Sequence, residues 1–515
     1  MSEISKLPQS IYVLTLPLHV TEGQAAALNK RYEHCRQVFN HLQYKMKRMY
    51  AYVEQMKAWK GCVKTKGDKT VPDIAARRKF MNNYSIDCKN GQGKIRAIKP
   101  FTEFGIRSYV AVFNKTYKDS GINSYILQAI ANNAWMAWEK FLYGNGKRIS
   151  FKRKDECNSY SVSIASSGGF YGFDTSELVS DHRIGINLNG KRAKNAKMMY
   201  LRFDVKTDYE RECIANCELR EITVKRNFVR GQWKYSIGLT LKGIKPTKNR
   251  KLGQGRVGID LGTSSVAVSS DEVVFIDNLA KGVEDIEKKK CILQRQIDRS
   301  RRAMNPEQFN EDGTIRRYKQ GTRPAWIQSK RCKKKQEELK EVYRKQAVKR
   351  KESHIRLSNM LLSLGDDFII ENNPISAWSR RAKETTVNKK GKINPKKRHG
   401  KSIANHAPAM FATILENKVK SLGGSFTKLP IRNAATQFDF TNQSFTPHKE
   451  SERRITLSDG VTHLRDVISA YNIQHLLGDG KEYDVETMTA KYDRFCRLEQ
   501  EEIQRHLDSG EKLNP

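Results

Sequence analysis

The run VGIDLGTSSVAVSS, from Val257 to Ser270, constrains this chain more than any other stretch. Branched apolar residues lead into Asp260, a glycine-containing turn follows, and a second strand-like run, SVAVSS, returns. A carboxylate is therefore predicted at a hairpin within a sheet. Two unrelated chemistries use that device. In actin-like and chaperone-type ATPases an Asp-x-Gly-Thr hairpin wraps a nucleotide phosphate. In nucleases with an RNase H-like fold the Asp is the first ligand of a catalytic metal pair.

Two later carboxylates bear on the choice. In GDDFIIENNPISAW, Phe368 to Ile370 form a short buried-strand pattern that ends at Glu371, so this side chain is predicted to project from the edge of a sheet. In THLRDVISAYNIQHLL, Asp466 heads an amphipathic helix with Ala470, Ile473 and Leu476 on one face, which places the carboxylate at a helix N-terminus. Each motif has a bland reading, a solvated acid at the end of an element. Their order, Asp on a first strand, Glu on a later one and Asp on a late helix, suits two hard divalent cations about 4 Å apart, which polarise a phosphodiester and activate water. Mg2+ is the expected metal, two ions, with Mn2+ able to substitute.

Charge points the same way. Lys and Arg number 95 against 56 Asp and Glu, a net charge of +39 spread along most of the chain. Such a field repels itself unless a polyanion neutralises it, so nucleic acid is the expected partner. A merely solvated surface needs far less charge. An anionic membrane surface is disfavoured, because no run of 18 or more apolar residues and no signal peptide is present. The nine scattered cysteines fit free thiols in a reducing compartment. Cys213 and Cys217 stand as CxxxC without a second pair, so no zinc site is expected there.

The chain is long enough for several domains. SIYVLTLPL reads as a strand, and Thr21 and Gln24 have capping-box spacing for a long helix. Residues 57–95 are Lys- and Gly-rich and read as a loop-rich insertion. A helix follows Asn123, with Leu127, Ile130, Ala134, Trp138, Phe141 and Leu142 at helical spacing. SYSVSIAS, KMMYLRFDV, LREITVKRNF and QWKYSIGLTL then read as strands of a small β-barrel to which the strand near Ile11 returns. KPTKNRKLGQG, from Lys245 to Gly255, reads as a linker. Beyond the opening hairpin, one helix is built around Ile286, Leu293 and Ile297, and a second around Leu339, Val342 and Tyr343 continues to Leu361. They are expected to form an antiparallel hairpin whose one-signed runs, RSRRA, SKRCKKK and RKQAVKRKE, contact phosphates. The tail from Lys481 reads as a terminal helix packed on the unit that holds the acids.

The ATPase reading lacks its other parts. No second DxGxGT hairpin and no Gly-rich adenosine loop follow, and Gly423 and Gly424 sit in a plain turn. The order of acids resembles the RuvC-type nuclease of the TnpB proteins, transposon-encoded RNA-guided nucleases, and of the compact type V CRISPR effectors. IYVLTLPLHVTEGQAAALNKRYEHCRQVFNHL is similar to that family's opening strand and helix, and RISFKRKDECNSYSV to its basic strand after the helical lobe. KSIANHAPAMFATILENKVKSLGGSFTKLP, Lys401 to Pro430, resembles the helix and strand between its second and third acids. Only 57–95 and 301–325 are unmatched.

The resemblance implies an α+β multidomain chain. A wedge-like β-barrel would occupy 1–20 and 147–250, and an α-helical recognition lobe 21–146. An RNase H-like (RuvC) nuclease domain would carry its first two acidic motifs in 251–430, with a helical-hairpin insertion at about 284–362, and its third motif and C-terminal helix in 461–515. Asp260, Glu371 and Asp466, the last within RDxxxAxNI, would be the catalytic metal ligands. The implied partners are a guide RNA, from a transposon end or a CRISPR repeat, and double-stranded target DNA beside a short duplex motif. No membrane partner, a monomer, and a prokaryotic cytoplasmic location, nucleoid-associated when bound to DNA, complete the expectation.

One departure stands out. Most members carry a four-cysteine zinc ribbon before the third acid, yet between Cys332 and Cys496 there is no cysteine. Residues 431–460 therefore read as a zinc-free remnant of the target-loading region, with His448 a lone structural histidine and Phe438, Phe440 and Phe445 read as local core ahead of base stacking. Phe151, Lys152 and Arg153 are candidate nucleic-acid contacts, because an aromatic face and two cations alternate on an expected strand. A guided DNA-binding repressor without cleavage and an unguided structure-specific nuclease remain as alternatives.

Overall fold

The computed structural model describes residues 10–89, 95–111, 122–144, 146, 148–164, 169–189, 196–246, 251–318, 322, 324–380, 384, 386–387, 399–429, 435–448, 452–478, 480 and 482–510. Parts of several expected segments lie outside these residues: 1–9, 90–94, 247–250, 319–321, 430–434, 449–451 and 511–515. The chain divides into two compact units, Gln9–Lys248 and Asn249–Pro515.

In the first unit β1 (Ser10–His19) runs into α1 (Glu22–Val53). The capping box forms as spaced: the Thr21 hydroxyl accepts from the Gln24 amide and the Gln24 side chain accepts from the Thr21 amide. Residues 57–95 are not loop-rich. They hold α2 (Lys57–Lys60), the hairpin β2 (Val63–Lys66) and β3 (Lys69–Pro72), α3 (Ile74–Asn83), and β4 (Ile86–Lys89) paired with β5 (Ile95–Ile98). These elements are short and mostly exposed, so they carry little periodicity; buried Trp59 and Met81 anchor them to the core.

After α4 (Glu103–Ala111), α5 (Ser124–Leu142) starts at Asn123, whose side chain caps Ile126, and buries Ile126, Leu127, Ile130, Ala134 and Trp138 against α1. Then follow β6 (Ser159–Ser163), β7 (Phe173–Asp174), β8 (Arg183–Asn187), β9 (Met198–Phe203), α6 (Asp208–Asn216), β10 (Glu218–Val229) and β11 (Gln232–Gly243). β1 returns to this sheet as expected, pairing with β11 on one side and β9 on the other. The sheet order is β6-β10-β11-β1-β9-β8-β7. Among the described residues it forms a half-barrel, where the sequence suggested a small β-barrel. Its edge strands β6 and β7 meet only through side chains, Tyr160 and Phe173 with ring centroids 6.4 Å apart.

The second unit is built on β12 (Arg256–Leu261), β13 (Ser265–Ser269) and β14 (Val274–Asn278), an antiparallel meander. α7 (Glu284–Met304) and α8 (Lys330–Leu361) pack antiparallel, as expected: Gln346 reaches Glu287 while Tyr343 meets Gln294. β15 (Asp367–Glu371) then enters parallel to β12. Beyond α9 (Ile375–Trp378), α10 (Gly400–His406) and α11 (Pro408–Ser421), β16 (Ser425–Leu429) joins parallel to β15. The sheet order is β14-β13-β12-β15-β16.

Two small hairpins follow, β17 (Phe438–Asp439) with β18 (Ser444–Phe445) and β19 (Arg454–Thr456) with β20 (Thr462–Leu464). α12 (Arg465–Gln474), the pair β21 (Leu476–Leu477) and β22 (Glu482–Tyr483), and α13 (Val485–Ser509) end the described chain.

Alternation in β12 decides which side of the sheet holds what. Val257, Ile259 and Leu261 point to a core shared with Leu361, Phe411, Leu415 and Val419 of α8 and α11. Gly258 and Asp260 point the other way, toward α12. That helix is not amphipathic in place: every residue from Val467 to Gln474 is buried, and Leu476 falls beyond its end. It lies between the sheet, α13 and the 435–440 segment, so both its faces are covered. No helix among the described residues is long and apolar enough to cross a membrane.

Candidate active site

Asp260 is the fifth residue of β12, and Glu371 is the last of β15. The parallel register pairs Ile259 with Ile370, so the two acids follow side by side at the carboxyl ends of adjacent strands, where ligands of parallel sheets characteristically bind. Arg256 helps hold this register, donating to Asp367 at 2.9 Å and to the Leu476 carbonyl at 3.0 Å.

α12 brings the third acid. Gly258 makes the approach possible: a Cβ there would lie 2.1 Å from the Ala470 carbonyl oxygen and 2.4 Å from the Gln474 amide. The helix is then tied on all sides. The Asn472 amide donates to the Ala435 and Phe438 carbonyls, Ser269 and Asp271 engage Gln474, and the Tyr471 hydroxyl donates to the Met488 carbonyl. Its first turn presents Asp466.

The strand before it is pinned by Glu499 of α13, which accepts from the Leu464 amide at 2.7 Å and pairs with buried His463 at 2.6 Å. α13 thus packs on this unit, in line with the sequence expectation.

Electrostatics shows the three acids sharing one environment. All are part-exposed yet ringed by protein. Burial pushes the Asp260 carboxyl well above the usual carboxylate range, and the charges of Asp466 and Glu371 push it further, against a hydrogen bond from Ser469 and the cation of Arg465. Glu371 is raised by burial. Arg465 donates through Nε and Nη2 to one oxygen of Asp466, at 3.0 and 2.9 Å, and through Nη1 to the Glu452 carbonyl.

Among the described residues no group of three His, Cys, Asp or Glu is gathered tightly enough to hold a metal ion as it stands. Asp466 is drawn to Arg465 instead. The donor chemistry nevertheless fits a hard divalent cation, since the acids offer carboxylate oxygens that repel one another and destabilise their own ionised forms. Gly258 and Ser469 escaped the sequence reading, and Arg465 and Asn472 entered it only as letters of the RDxxxAxNI motif, with no role assigned. The small residue two before Asp260 and the Arg directly before Asp466 were the available signals.

The two small hairpins before α12 are held together by a carboxylate. Asp439 accepts from the amide and hydroxyl of Thr441 (3.0 and 2.6 Å) and from those of Ser458 (2.8 and 2.7 Å), joining the two small hairpins. Burial opposes its ionisation, but these bonds outweigh it and hold the carboxyl below its ordinary range. The crosslink therefore contributes stability above about pH 4 and loses it as pH falls through the lowered value. Asp439→Ala is expected to cost about 2 kcal/mol locally, or roughly thirty-fold in hydrogen-exchange protection over residues 435–458. Unchanged protection there would remove Asp439 from this role. Phe438 and Phe440 are buried as expected, whereas Phe445 is 53% exposed.

Other candidates separate. Phe151, Lys152 and Arg153 lie on no strand. The Lys152 backbone is bonded to Arg36 and Asn40 of α1, and its ammonium sits 4.5 Å from the Phe39 ring centre, so it is held on the helix. Phe151 and Arg153 are exposed. Cys217 meets the Tyr12 hydroxyl at 3.2 Å and Cys213 is buried, as thiols in a core. On α7 and α8, pairs such as Lys335–Glu338 and Arg344–Glu341 neutralise part of the charge. Arg295, Arg299, Lys333, Lys334, Lys345 and Lys349 are exposed and make no ion pair among the described residues.

No family model matches the chain, and no curated protein matches it. Among solved structures, it is similar to a Cas12f1–sgRNA–target DNA complex, with 13% identity, coverage of 88% of this chain and 83% of the other, and a TM-score of 0.47. The mini-RNA-guided endonuclease CRISPR-Cas phi3 matches at 10% identity over 92% and 93%, with a TM-score of 0.33. A Cas12i1 R-loop complex before target DNA cleavage matches at 9% identity over 94% and 61%, with a TM-score of 0.28. These are compact type V effectors, the family whose motifs the sequence resembles.

Proposed function

We propose that this chain is an RNA-guided DNA endonuclease that hydrolyses phosphodiesters at a RuvC-type site. The observation that carries this reading is the convergence of Asp260, Glu371 and Asp466 on one side of one sheet, from β12, β15 and α12. Three antiparallel strands followed by two parallel ones, with the third acid on a helix packed over them, support an RNase H-like assignment. The guided part rests on the motif resemblance and on the charge of +39.

In this reading Asp260, Glu371 and Asp466 would hold Mg2+, with Mn2+ able to substitute, which would supply activation of water and charge stabilisation for the leaving oxygen. The chain's own residues prepare that chemistry. Gly258 lets α12 close on the sheet, Glu499 fixes the entry to Asp466, and Arg465 neutralises Asp466. The exposed Lys and Arg of α7 and α8 hold phosphates.

The test is cleavage of target DNA by protein purified with its co-expressed flanking DNA and RNA. A discrete RNA with a fixed scaffold and a variable guide, together with Mg2+-dependent cutting of matched DNA, is the expected result. Cutting without RNA would replace the reading with an unguided nuclease. Guided binding without cutting would replace it with a repressor. Binding is also expected to be steeply salt-dependent, weakening by about 10³-fold or more between roughly 50 and 200 mM salt if six or more phosphates are neutralised. A complex insensitive to salt contradicts the assigned role of the charge.

A further inference from the structure

Phe445 is an exposed aromatic side chain whose neighbours lead back to the acids. It stands opposite Phe438 in the β17–β18 hairpin, with ring centroids 5.1 Å apart. Phe438 is stacked in turn on Tyr483, at 3.8 Å and 12° between planes, and Phe445 lies 6.4 Å from the same tyrosine. Three rings thus form a graded series, the outermost open to solvent.

The innermost ring borders the acids. Tyr483 packs against a small cluster of Ile369, Leu429, Ala435, Ile473 and Leu476. Ile369 is two residues before Glu371 on β15 and therefore on the same face of the sheet, while Leu429 is paired with Glu371 in the β15–β16 ladder. The charge of Glu371 reaches the Tyr483 hydroxyl, adding to the effect of burial in raising it.

The hairpin that carries Phe445 is rigidly placed. Asp439 ties it to Ser458, and Asn472 of α12 holds the Phe438 carbonyl at 2.8 Å. On the linked hairpin Arg453 and Arg454 are exposed and make no ion pair among the described residues. An exposed aromatic ring on a fixed support, with unpaired cations on the hairpin linked to it and a carboxylate site reached through Phe438 and Tyr483, has the composition of a single-strand stacking platform.

We propose that Phe445, backed by Phe438 and Tyr483, stacks on an unpaired nucleobase of the strand presented to Asp260, Glu371 and Asp466, and so positions that strand for cutting. Bases within a duplex have both faces covered by their neighbours, so the platform selects single-stranded nucleic acid. Because π-stacking is sequence-tolerant, it does so without choosing a base. This inference rests on the nuclease reading for its purpose, but its stacking step is measurable without cleavage.

The test uses the full-length protein with its co-purified RNA. The probes are single-stranded oligodeoxynucleotides carrying a fluorescent adenine analogue at successive positions, together with Phe445→Ala, Phe445→Leu and Phe445→Tyr. Stacking predicts quenching at one position with the native protein and with Phe445→Tyr, and loss of that quenching with Phe445→Ala and Phe445→Leu. Leucine keeps the apolar packing on Phe438 but has no ring face, so it separates stacking from filling. In Mg2+, Phe445→Ala and Phe445→Leu are expected to raise KM for target cleavage about tenfold or more with kcat little changed, and Phe445→Tyr to restore it. Quenching that survives Phe445→Leu, or no position-specific quenching at all, overturns the proposal. Position-specific quenching lost in Phe445→Leu, from a native protein that does not cut in Mg2+, upholds the platform while defeating the nuclease reading.

Discussion

Asp260→Asn is expected to reduce cleavage by on the order of 10³-fold or more, about 4 kcal/mol of transition-state stabilisation, while making the metal-free protein more stable. The second half follows from the raised carboxyl. Its folded-state pKa lies above the unfolded value, so between the two the folded protein holds a proton that the unfolded chain has released. Stability then falls as pH rises through that window, which opens at about 4 and closes at the raised value of Asp260. Above about pH 4 the folded carboxyl, whether ionised beside Glu371 and Asp466 or holding a proton that the unfolded chain releases, carries a cost that asparagine removes, each kcal/mol being about 2–4 °C in Tm for a domain of this size. The gain should vanish as pH falls below about 4, where the carboxyl is protonated in the folded and the unfolded state alike.

Mg2+ should raise the Tm of the native protein and leave that of the variant nearly unmoved, because binding to the folded state alone stabilises by mass action. Thermal unfolding at several pH values, with and without Mg2+, reads all of this. A variant less stable at neutral pH, beside a native protein indifferent to Mg2+, would falsify the assignment of a cation site to these acids.

Gly258→Ala is expected to have the second large effect, through a residue that performs no chemistry. The new methyl would lie 2.1 Å from the Ala470 carbonyl oxygen, and backbone cannot yield as a flexible side chain does. Overpacking of this kind costs about 1–3 kcal/mol or more. The relief available is displacement of α12, which carries Asp466 away from Asp260 and Glu371. A shift near 1 Å is enough for about a hundredfold loss of rate. Guide RNA binding should be unaffected if the protein stays folded, which circular dichroism and retention of the RNA would show. Full activity in Gly258→Ala would mean that α12 does not set the position of the third acid.

Much of the local architecture was legible in the residues. Thr21 and Gln24 announced the start of α1, and Asn123 that of α5, because a cap is a contact between near neighbours in sequence. The same holds for the hairpin at Asp260 and the strand ending at Glu371, each set by alternation and turn chemistry within a few residues. The antiparallel pair α7–α8 followed from two long periodic stretches and the break between them.

Other features depended on partners far along the chain. Residues 57–95 read as loop-rich because their hairpins expose most of their residues, and what holds them is a core distant in sequence, in which Trp59 and Met81 are seated with Phe80, Tyr84 and Ile86 packed beside them. FKR at 151–153 alternated like a strand, yet the Lys152 backbone bonds Arg36 and Asn40 of α1 instead of a ladder. Absence of the cysteine ribbon was plain, but that Asp439 joins the two hairpins required Thr441 and Ser458 to be seen on either side of it.

What the residues alone determined was a set of acids in order, each at the end of an element, and a charge that calls for a polyanion. Whether those acids meet is a question of register and packing. The parallel pairing of β12 with β15 sets two of them side by side, and a missing side chain at Gly258 lets a fully buried helix bring up the third. Those contacts join residues separated by most of the unit's length, and no local propensity specifies them; they exist because the sheet and α12 bury more apolar surface together than apart.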